Sequence, residues 1–171
     1  MAADLCAFQR GWLRALGGDA EAGIEEMLQS AKAAPAAVLN PVVWTLLAEQ
    51  QMEAQHLDAA QVSLETALQH CRQSGFYEAE VIRCGGELAL RQRPIRTDEA
   101  EAAFRQATVM AAKQSCRALE LRAATSLARL LRRTDRTTEA RDVLAPVYTR
   151  FSEGFGRPDL KEAKDLLSQL T

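Results

Sequence analysis

The stretch RALELRAATSLARLLRRTDRTTEARDVLAPV, residues 117–147, decides the fold. Apolar residues recur in its first part at helical spacing and give one continuous apolar face: Leu121, Ala124, Leu127, Ala128 and Leu131. The polar run at residues 134–137 predicts a turn, and Pro146 is expected to kink or shorten the helix that follows. The stretch therefore predicts a hairpin of two helices.

The second helix of this hairpin carries a pattern that recurs along the chain. A small residue is followed by a larger apolar residue four positions later and by another small residue three positions after that, which places all three side chains on one stripe of a helix. The pattern recurs at intervals of forty residues, with a looser copy near the amino terminus: Ala140/Leu144/Val147, Ala100/Phe104/Ala107, Ala60/Leu64/Ala67 and Gly23/Met27/Ser30. A period of this size is typical of stacked helical repeats.

The sequence therefore predicts an all-α solenoid of helical hairpins that forms a single domain over residues 1–171. We expect four helix pairs, at residues 4–34, 40–74, 77–114 and 117–152, and a capping helix at residues 158–170. Asn40 and Asp58 are expected to cap two of the helices. Two further features stand out: the glycine pair Gly85-Gly86 inside a helix invites close approach by a neighbour, and the connection at residues 92–97 is two residues longer than the matching turn in the last pair.

Composition limits the possible functions. The net charge of -2 gives no general reason to expect binding to nucleic acid or to an anionic membrane. Since the chain has no membrane-length apolar run and no signal-like amino terminus, we expect a cytoplasmic protein. The four cysteines form no CxxC pair and have no matching histidine spacing, so we expect no metal site, no cofactor and reduced thiols.

Two units resemble the tetratricopeptide repeat (TPR). In the second and last units the following residues stand at that repeat's aromatic, apolar and small positions: Trp44, Leu47, Ala48, Ala60, Leu64, Ala67, Leu127, Ala128, Leu131, Ala140, Leu144 and Val147. The resemblance implies a right-handed superhelix with a concave groove lined by the first helix of each pair. The units are about 40 residues long against the usual 34, and Leu57 and Asp135 stand where the repeat has its turn glycine.

The second half of the chain has a narrower resemblance. The strings EAEVIRCGGELAL (residues 78–90), ELRAATSLARLLR (120–132) and EARDVLAPVYTRFSEGFGRPDLKEAKDLL (139–167) are similar to the carboxy-terminal region of large bacterial multidomain regulators. Those proteins combine a signal-transduction ATPase with a nucleotide-cyclase or transcription-factor module. The resemblance implies that this chain is the repeat region of such a regulator and that the catalytic activities lie in other domains.

The residues themselves do not indicate an enzyme. The chain has no GxxxxGK[ST] phosphate loop, and Ser126 lacks the GxSxG context of a nucleophile. His70 and Cys71 are adjacent on one helix and therefore point about 100° apart, which does not suit a catalytic dyad. We therefore expect a non-catalytic protein-protein interaction or regulatory module.

The groove is the expected binding surface. Between Arg117 and Arg141 there are seven arginines and three acidic residues, and guanidinium groups suit carboxylates because they donate two parallel hydrogen bonds. We hypothesise that this end of the groove binds an acidic peptide segment or another domain of the parent protein. The groove-facing candidates are Val42, Thr45, Glu49, Met52, Glu80, Arg83, Glu87, Arg91, Arg122, Thr125, Arg129, Arg132 and Arg133.

Three alternatives stay open at this point. The arginines can simply keep an exposed helix face soluble. Nucleic-acid binding through them is disfavoured because the basic stretch has no aromatic residue for base stacking. A small effector could be sensed through a change of solenoid curvature, but no residue pattern in the sequence indicates a ligand.

The first helix is also expected to expose Leu5, Phe8, Trp12 and Leu16, which would permit a homodimer.

Overall fold

The computed structural model describes residues 2–33, 39–75 and 77–170, which form nine α-helices and no β-strand. The helices are α1 (Ala2–Leu16), α2 (Ala20–Ala33), α3 (Asn40–Glu53), α4 (Leu57–Ser74), α5 (Glu78–Arg91), α6 (Thr97–Lys113), α7 (Arg117–Arg133), α8 (Thr137–Tyr148) and α9 (Pro158–Ser168). The all-α prediction is confirmed. Ala34, the expected end of the first unit, lies outside the described residues.

The repeated small and apolar residues form the core, as their spacing predicts. The alanines at these positions are fully buried, and the larger residues between them, Met27, Leu64, Phe104 and Leu144, are at most 4% exposed. Because alanine side chains take little space, the paired helices can approach closely and the larger side chains fill the gaps. The pattern therefore acts through packing, once in every hairpin.

Gly86 and Gly85 have different surroundings although they are neighbours on α5. A Cβ atom at Gly86 would lie 2.5 Å from Cε1 of Phe104 on α6, whereas a Cβ atom at Gly85 would have no neighbour within 4 Å. Only one residue of the pair is therefore needed for close approach. The expectation for the pair holds for Gly86 and is wrong for Gly85.

Three of the four hairpin turns contain a residue in the left-handed backbone conformation, whose position the sequence analysis did not predict. Gly18, Gln55 and Asp135 have positive φ angles of 104°, 64° and 59°, and each stands five residues before the small residue that opens the repeated pattern. Leu57, expected at the turn-glycine position, instead begins α4. The third hairpin differs because residues 92–96 separate α5 from α6, against three residues in the other hairpins.

The two expected helix caps are wrong. Asn40 lies inside α3 with its side chain buried, and Leu39 precedes the helix without a side-chain capping bond. Asp58 lies in the first turn of α4, where its carboxylate faces the positive end of the helix dipole. His56 occupies the capping position of α4 and makes no capping bond.

The hairpins stack in chain order and the stack is curved. Consecutive helices contact each other, and so do the first helices of successive hairpins, α1 with α3, α3 with α5 and α5 with α7. Within the described ranges, the second helices α2, α4, α6 and α8 make no contacts with one another. The first helices therefore lie closer together and form the inner side of the stack.

The two ends of the stack differ in how much apolar surface they expose. Helix α9 packs on α7 and α8 and buries Leu160, Ala163 and Leu166, while Lys161, Lys164 and Asp165 are exposed. Helix α1 exposes Leu5, Leu13 and Leu16. Phe8 was expected to be exposed on the same side, but it is 4% exposed because it packs with Ile24, Met27 and Leu47.

None of the helices in the described ranges is both long and apolar enough to cross a membrane.

Candidate binding groove

Three adjoining cavities form one polar groove on the inner side of the stack. Their volumes are about 360, 240 and 90 Å³, and their walls come from α3, α5, α7 and the start of α9. The first two cavities share Glu87, Arg91 and Arg129, so they are continuous. We refer to these three cavities together as the inner groove.

Arg83 is the centre of the groove floor. It is 7% exposed, and its Nη2 atom donates hydrogen bonds to Oε1 of Glu80 at 2.8 Å, to Oε1 of Glu49 at 3.0 Å and to Sγ of Cys84 at 3.2 Å. Nη1 of the same guanidinium reaches Oε1 of Glu87 at 3.4 Å. Because a buried charge is costly unless it is paired, these partners fix the position of Arg83.

The arginines of α7 extend this network to the last unit. Nη2 of Arg122 lies 2.8 Å from Oε1 of Glu80, and Nη1 of Arg129 lies 3.5 Å from Oε1 of Glu87. Arg129 also pairs with Glu162 of α9. Four helices from successive units are therefore joined by alternating acidic and basic side chains along the groove.

Most of the local excess of arginine is balanced by acidic residues from other units. Arg122, Arg129 and Arg136 pair with Glu80, Glu162 and Glu101 respectively, each more than thirty positions away in sequence. Counting charges within a short sequence window therefore overstates the positive charge of this region. This end of the groove is therefore less basic than the sequence suggests, because most of its arginines are paired.

Arg133 differs from the other groove arginines. It is exposed at the end of α7, lines the 240 Å³ cavity and has no ion pair within the described part of the chain. Arg91, on the opposite wall, pairs with Glu53, whose side chain is 68% exposed to solvent. Such exposed pairs contribute little energy, about 0–1 kcal/mol. Arg133 and Arg91 are therefore the groove cations most available to a ligand.

Three predicted groove residues are not placed to contact a ligand freely. Thr45 and Thr125 are buried, and their hydroxyl groups donate to the carbonyl oxygens of Pro41 at 2.6 Å and Leu121 at 2.8 Å within their own helices. Thr125 nevertheless lines the 90 Å³ cavity, whereas Thr45 lines none of the three cavities. Arg132 donates to Gln169, beyond the end of α9, and lines none of the three cavities. The following predicted residues line the groove together: Glu49, Met52, Arg83, Glu87, Arg91, Arg122, Arg129 and Arg133.

Sequence reasoning missed several groove residues, including Ser126 and Glu162. Ser126 donates to Oε1 of Glu87 at 2.6 Å and lines two of the cavities. Its spacing from Arg122, Arg129 and Arg133 places it on the same helix face, so the signal was present in the sequence. Glu162 was assigned only to a capping helix, and no local pattern connects it with Arg129.

One group of potential metal ligands lies in the floor. The ligand atoms of Glu49, Glu80 and Cys84 are within 4.8 Å of one another. The Arg83 guanidinium is hydrogen bonded to all three of them and supplies the positive charge that a metal ion would bring. The donor set therefore suits an internal guanidinium better than a cation from solution.

Two titratable groups near the floor, the Cys84 thiol and the Tyr77 phenol, are held in their neutral forms. Burial raises the pKa of the Cys84 thiol, with the carboxylates of Glu49 and Glu80 acting in the same direction against Arg83. Burial and the Glu80 carboxylate likewise raise the pKa of the Tyr77 phenol. A thiol with a raised pKa is a weak nucleophile, because the thiolate is the reactive form. Neither His56 nor His70 lines the inner groove.

A scan against protein-family models gave no match, and a search of curated proteins found no similar sequence.

Proposed function

We propose that the chain is a non-catalytic interaction module that binds a protein segment in its inner groove. The segment belongs to a partner protein or to another domain of a larger regulator. The observation that carries this proposal is the groove lined by the first helices, whose charged side chains are fixed by ion pairs between units. A groove that is ordered before binding loses less conformational entropy when a ligand binds.

The chemistry of the groove supports binding over catalysis. Its most buried titratable groups are paired or neutral, and a general base next to a nucleophile is what a catalytic site would need. The similarity of residues 139–167 to the end of bacterial signalling ATPases, cyclases and transcriptional regulators supports a cytoplasmic regulatory setting. In that setting, binding of a segment in the groove would depend on the conformation of the attached domains.

Selection of binding peptides tests the proposal. A random peptide library displayed on phage is panned against the protein, and the selected peptides are measured by fluorescence anisotropy. We expect peptides that bind the wild-type protein and lose affinity for the double variant Arg129→Glu, Arg133→Glu, because both side chains line the groove. Far-ultraviolet circular dichroism checks that the variant is folded.

The control is Arg72→Glu, which reverses one arginine charge on an exposed residue of α4, outside the groove. This variant should bind the selected peptides like the wild type. The proposal is wrong if panning gives no specific peptide, or if the folded groove variant binds the selected peptides as tightly as the control does.

A further inference from the structure

The 240 Å³ cavity has the strongest positive charge of the three parts of the groove. Arg91, Arg129 and Arg133 line it from α5 and α7, and Glu87 is the one acidic residue in its wall. Glu87 already accepts hydrogen bonds from Ser126 and Arg83, so it is not the main partner of any of the three arginines. Arg91 and Arg129 pair with Glu53 and Glu162, which lie outside this wall, so Arg133 is the arginine of the cavity that has no ion-pair partner in the described residues.

The other two parts of the groove have a smaller excess of arginines over acidic residues. In the 360 Å³ cavity, Glu49, Glu53 and Glu87 face the arginines, and in the 90 Å³ cavity Asp159 and Glu162 do so. Most of these acids form ion pairs with the same arginines. An anion that enters the groove is consequently attracted most strongly to the cavity between the ends of α5 and α7.

The size and the apolar part of the wall limit what the cavity can hold. A volume of about 240 Å³ is below the roughly 300–1,000 Å³ that pockets for drug-sized ligands have. Leu90 and Leu130 contribute apolar surface beside the arginines. The cavity therefore suits one side chain with an aliphatic stem and a charged oxyanion at its end.

We infer that this cavity is a subsite for a single acidic side chain, with Arg133 as its principal ligand-binding group and Arg91 and Arg129 beside it. The oxyanion is a carboxylate or a phosphate carried by the bound segment. Arg133 is assigned the main role because it needs to break no existing ion pair, whereas Arg91 and Arg129 share their guanidinium groups with Glu53 and Glu162. The inference rests on the proposed function, since the anion is part of a protein segment.

Nuclear magnetic resonance titration tests the subsite on the full chain. The ¹⁵N-labelled protein is titrated separately with capped tri-glutamate, capped tri-glutamine, a capped phosphoserine tripeptide and inorganic phosphate. Glutamate and phosphoserine peptides should shift the Nε–Hε signals of Arg133, Arg91 and Arg129 in a saturable way, and glutamine should not. The difference between glutamate and phosphoserine then identifies the source of the oxyanion.

Two neutral variants separate the subsite from general charge. Arg133→Gln should weaken binding of the acidic peptides about three- to tenfold, since one charge-assisted contact at a partly exposed site is lost. Arg72→Gln, on α4 outside the groove, should bind like the wild type. Because both residues are exposed on helix surfaces, we expect neither substitution to change the melting temperature. Measuring the melting temperature checks that both variants are folded.

Several results would overturn the inference. These are equal shifts with tri-glutamine, acidic-peptide shifts that map away from the cavity, unchanged affinity of Arg133→Gln, or tighter binding of inorganic phosphate than of the phosphoserine peptide. Tighter binding of a single-stranded DNA oligonucleotide of equal charge would also overturn it, in favour of a nucleic-acid ligand. If library peptides bind the groove independently of Arg133, the proposed function stands and the subsite is wrong. If tri-glutamate binds at Arg133 while panning gives no peptide, the subsite stands and the segment-binding function is wrong.

Discussion

At the scale of the residue, Gly86 and Gly85 provide a matched pair on one helix. Gly86→Ala should destabilise the protein by about 1–3 kcal/mol, because the added Cβ atom would overlap the Phe104 ring. Gly85→Ala should stabilise it by up to about 1 kcal/mol, because alanine favours the helix and its Cβ atom would meet nothing. Urea denaturation monitored by circular dichroism measures both changes. Similar effects of the two substitutions would contradict the packing described for α5 and α6.

The residue scale also shows which contacts a sequence can reveal. Buried small residues such as Ala60, Ala100 and Ala140 could be predicted because their period is visible in a single chain. The partners of Arg83 and Arg122 could not, since Glu49 and Glu80 lie on other helices and nothing local specifies which carboxylate each arginine meets. The core was therefore predictable, whereas the pairing inside the groove was not.

At the scale of the element, the turn between α3 and α4 places Gln55 in a left-handed conformation. Gln55→Gly should stabilise the protein by about 0.5–1 kcal/mol, because glycine avoids the left-handed penalty although it loses more entropy on folding. Leu57→Gly should instead destabilise it by about 2 kcal/mol or more, since Leu57 begins α4 and packs against the core. Urea denaturation again measures the free energies of unfolding, and the opposite order would show that the turn glycine belongs at residue 57.

A second prediction for the elements concerns the ion pairs between α6 and α8. Arg105 and Arg136 lower the pKa of Glu139, and Arg136 and Arg105 lower the pKa of Glu101. Because the folded-state pKa values are depressed, the stabilisation is present above the ordinary carboxyl pKa of about 4.3 and is lost as the pH falls through the folded-state values. Glu139→Gln should therefore lower the melting temperature near neutral pH and have a smaller effect at about pH 3, where the carboxylate is being protonated.

Exposed Glu153, which has no ion pair in the described residues, provides the control for this pH dependence. Glu153→Gln should change the melting temperature little at either pH. High salt should reduce the effect of Glu139→Gln, since Glu139 and Arg136 are accessible to solvent and their attraction is screened. A pH-independent effect of Glu139→Gln would mean that packing, not charge, joins the two helices at this point.

At the scale of the whole molecule, the hydrophobic core is divided along the stack. The cluster around Phe8, Ile24, Met27 and Leu47 is small, whereas the cluster of the last two hairpins and α9 is the largest. In a stack each hairpin is stabilised mainly by its neighbours, so the ends open more easily than the middle. Hydrogen exchange should therefore be fastest in α1 and α2 and slowest in α5 and α7. Uniform exchange across all the helices would indicate one cooperative unit.

At this scale the stacked architecture could be predicted from the sequence. Which residues of the first and last helices are buried could be predicted only in part. The helix periodicity and the forty-residue repeat are sufficient to specify stacked hairpins, and an amphipathic last helix indicates a cap. Phe8 shows the limit, because α1 was treated as one exposed apolar face when its Phe8 side turns into the hairpin with α2. Which side of a terminal helix faces its partner depends on the rotation of the whole helix, and the residues of that helix alone do not determine it.

The charged pairs along the groove also constrain how this protein can change in length. The ion pairs Glu49–Arg83, Glu80–Arg122 and Arg129–Glu162 join α3, α5, α7 and α9 in turn, and each needs opposite charges on successive segments. Duplicating or deleting one forty-residue segment between α3 and α9 would bring like charges together or leave a buried carboxylate alone. Within the described residues α1 and α2 contribute no member to this series. Genetic gain or loss of a hairpin is therefore tolerated most easily on the amino-terminal side of α3.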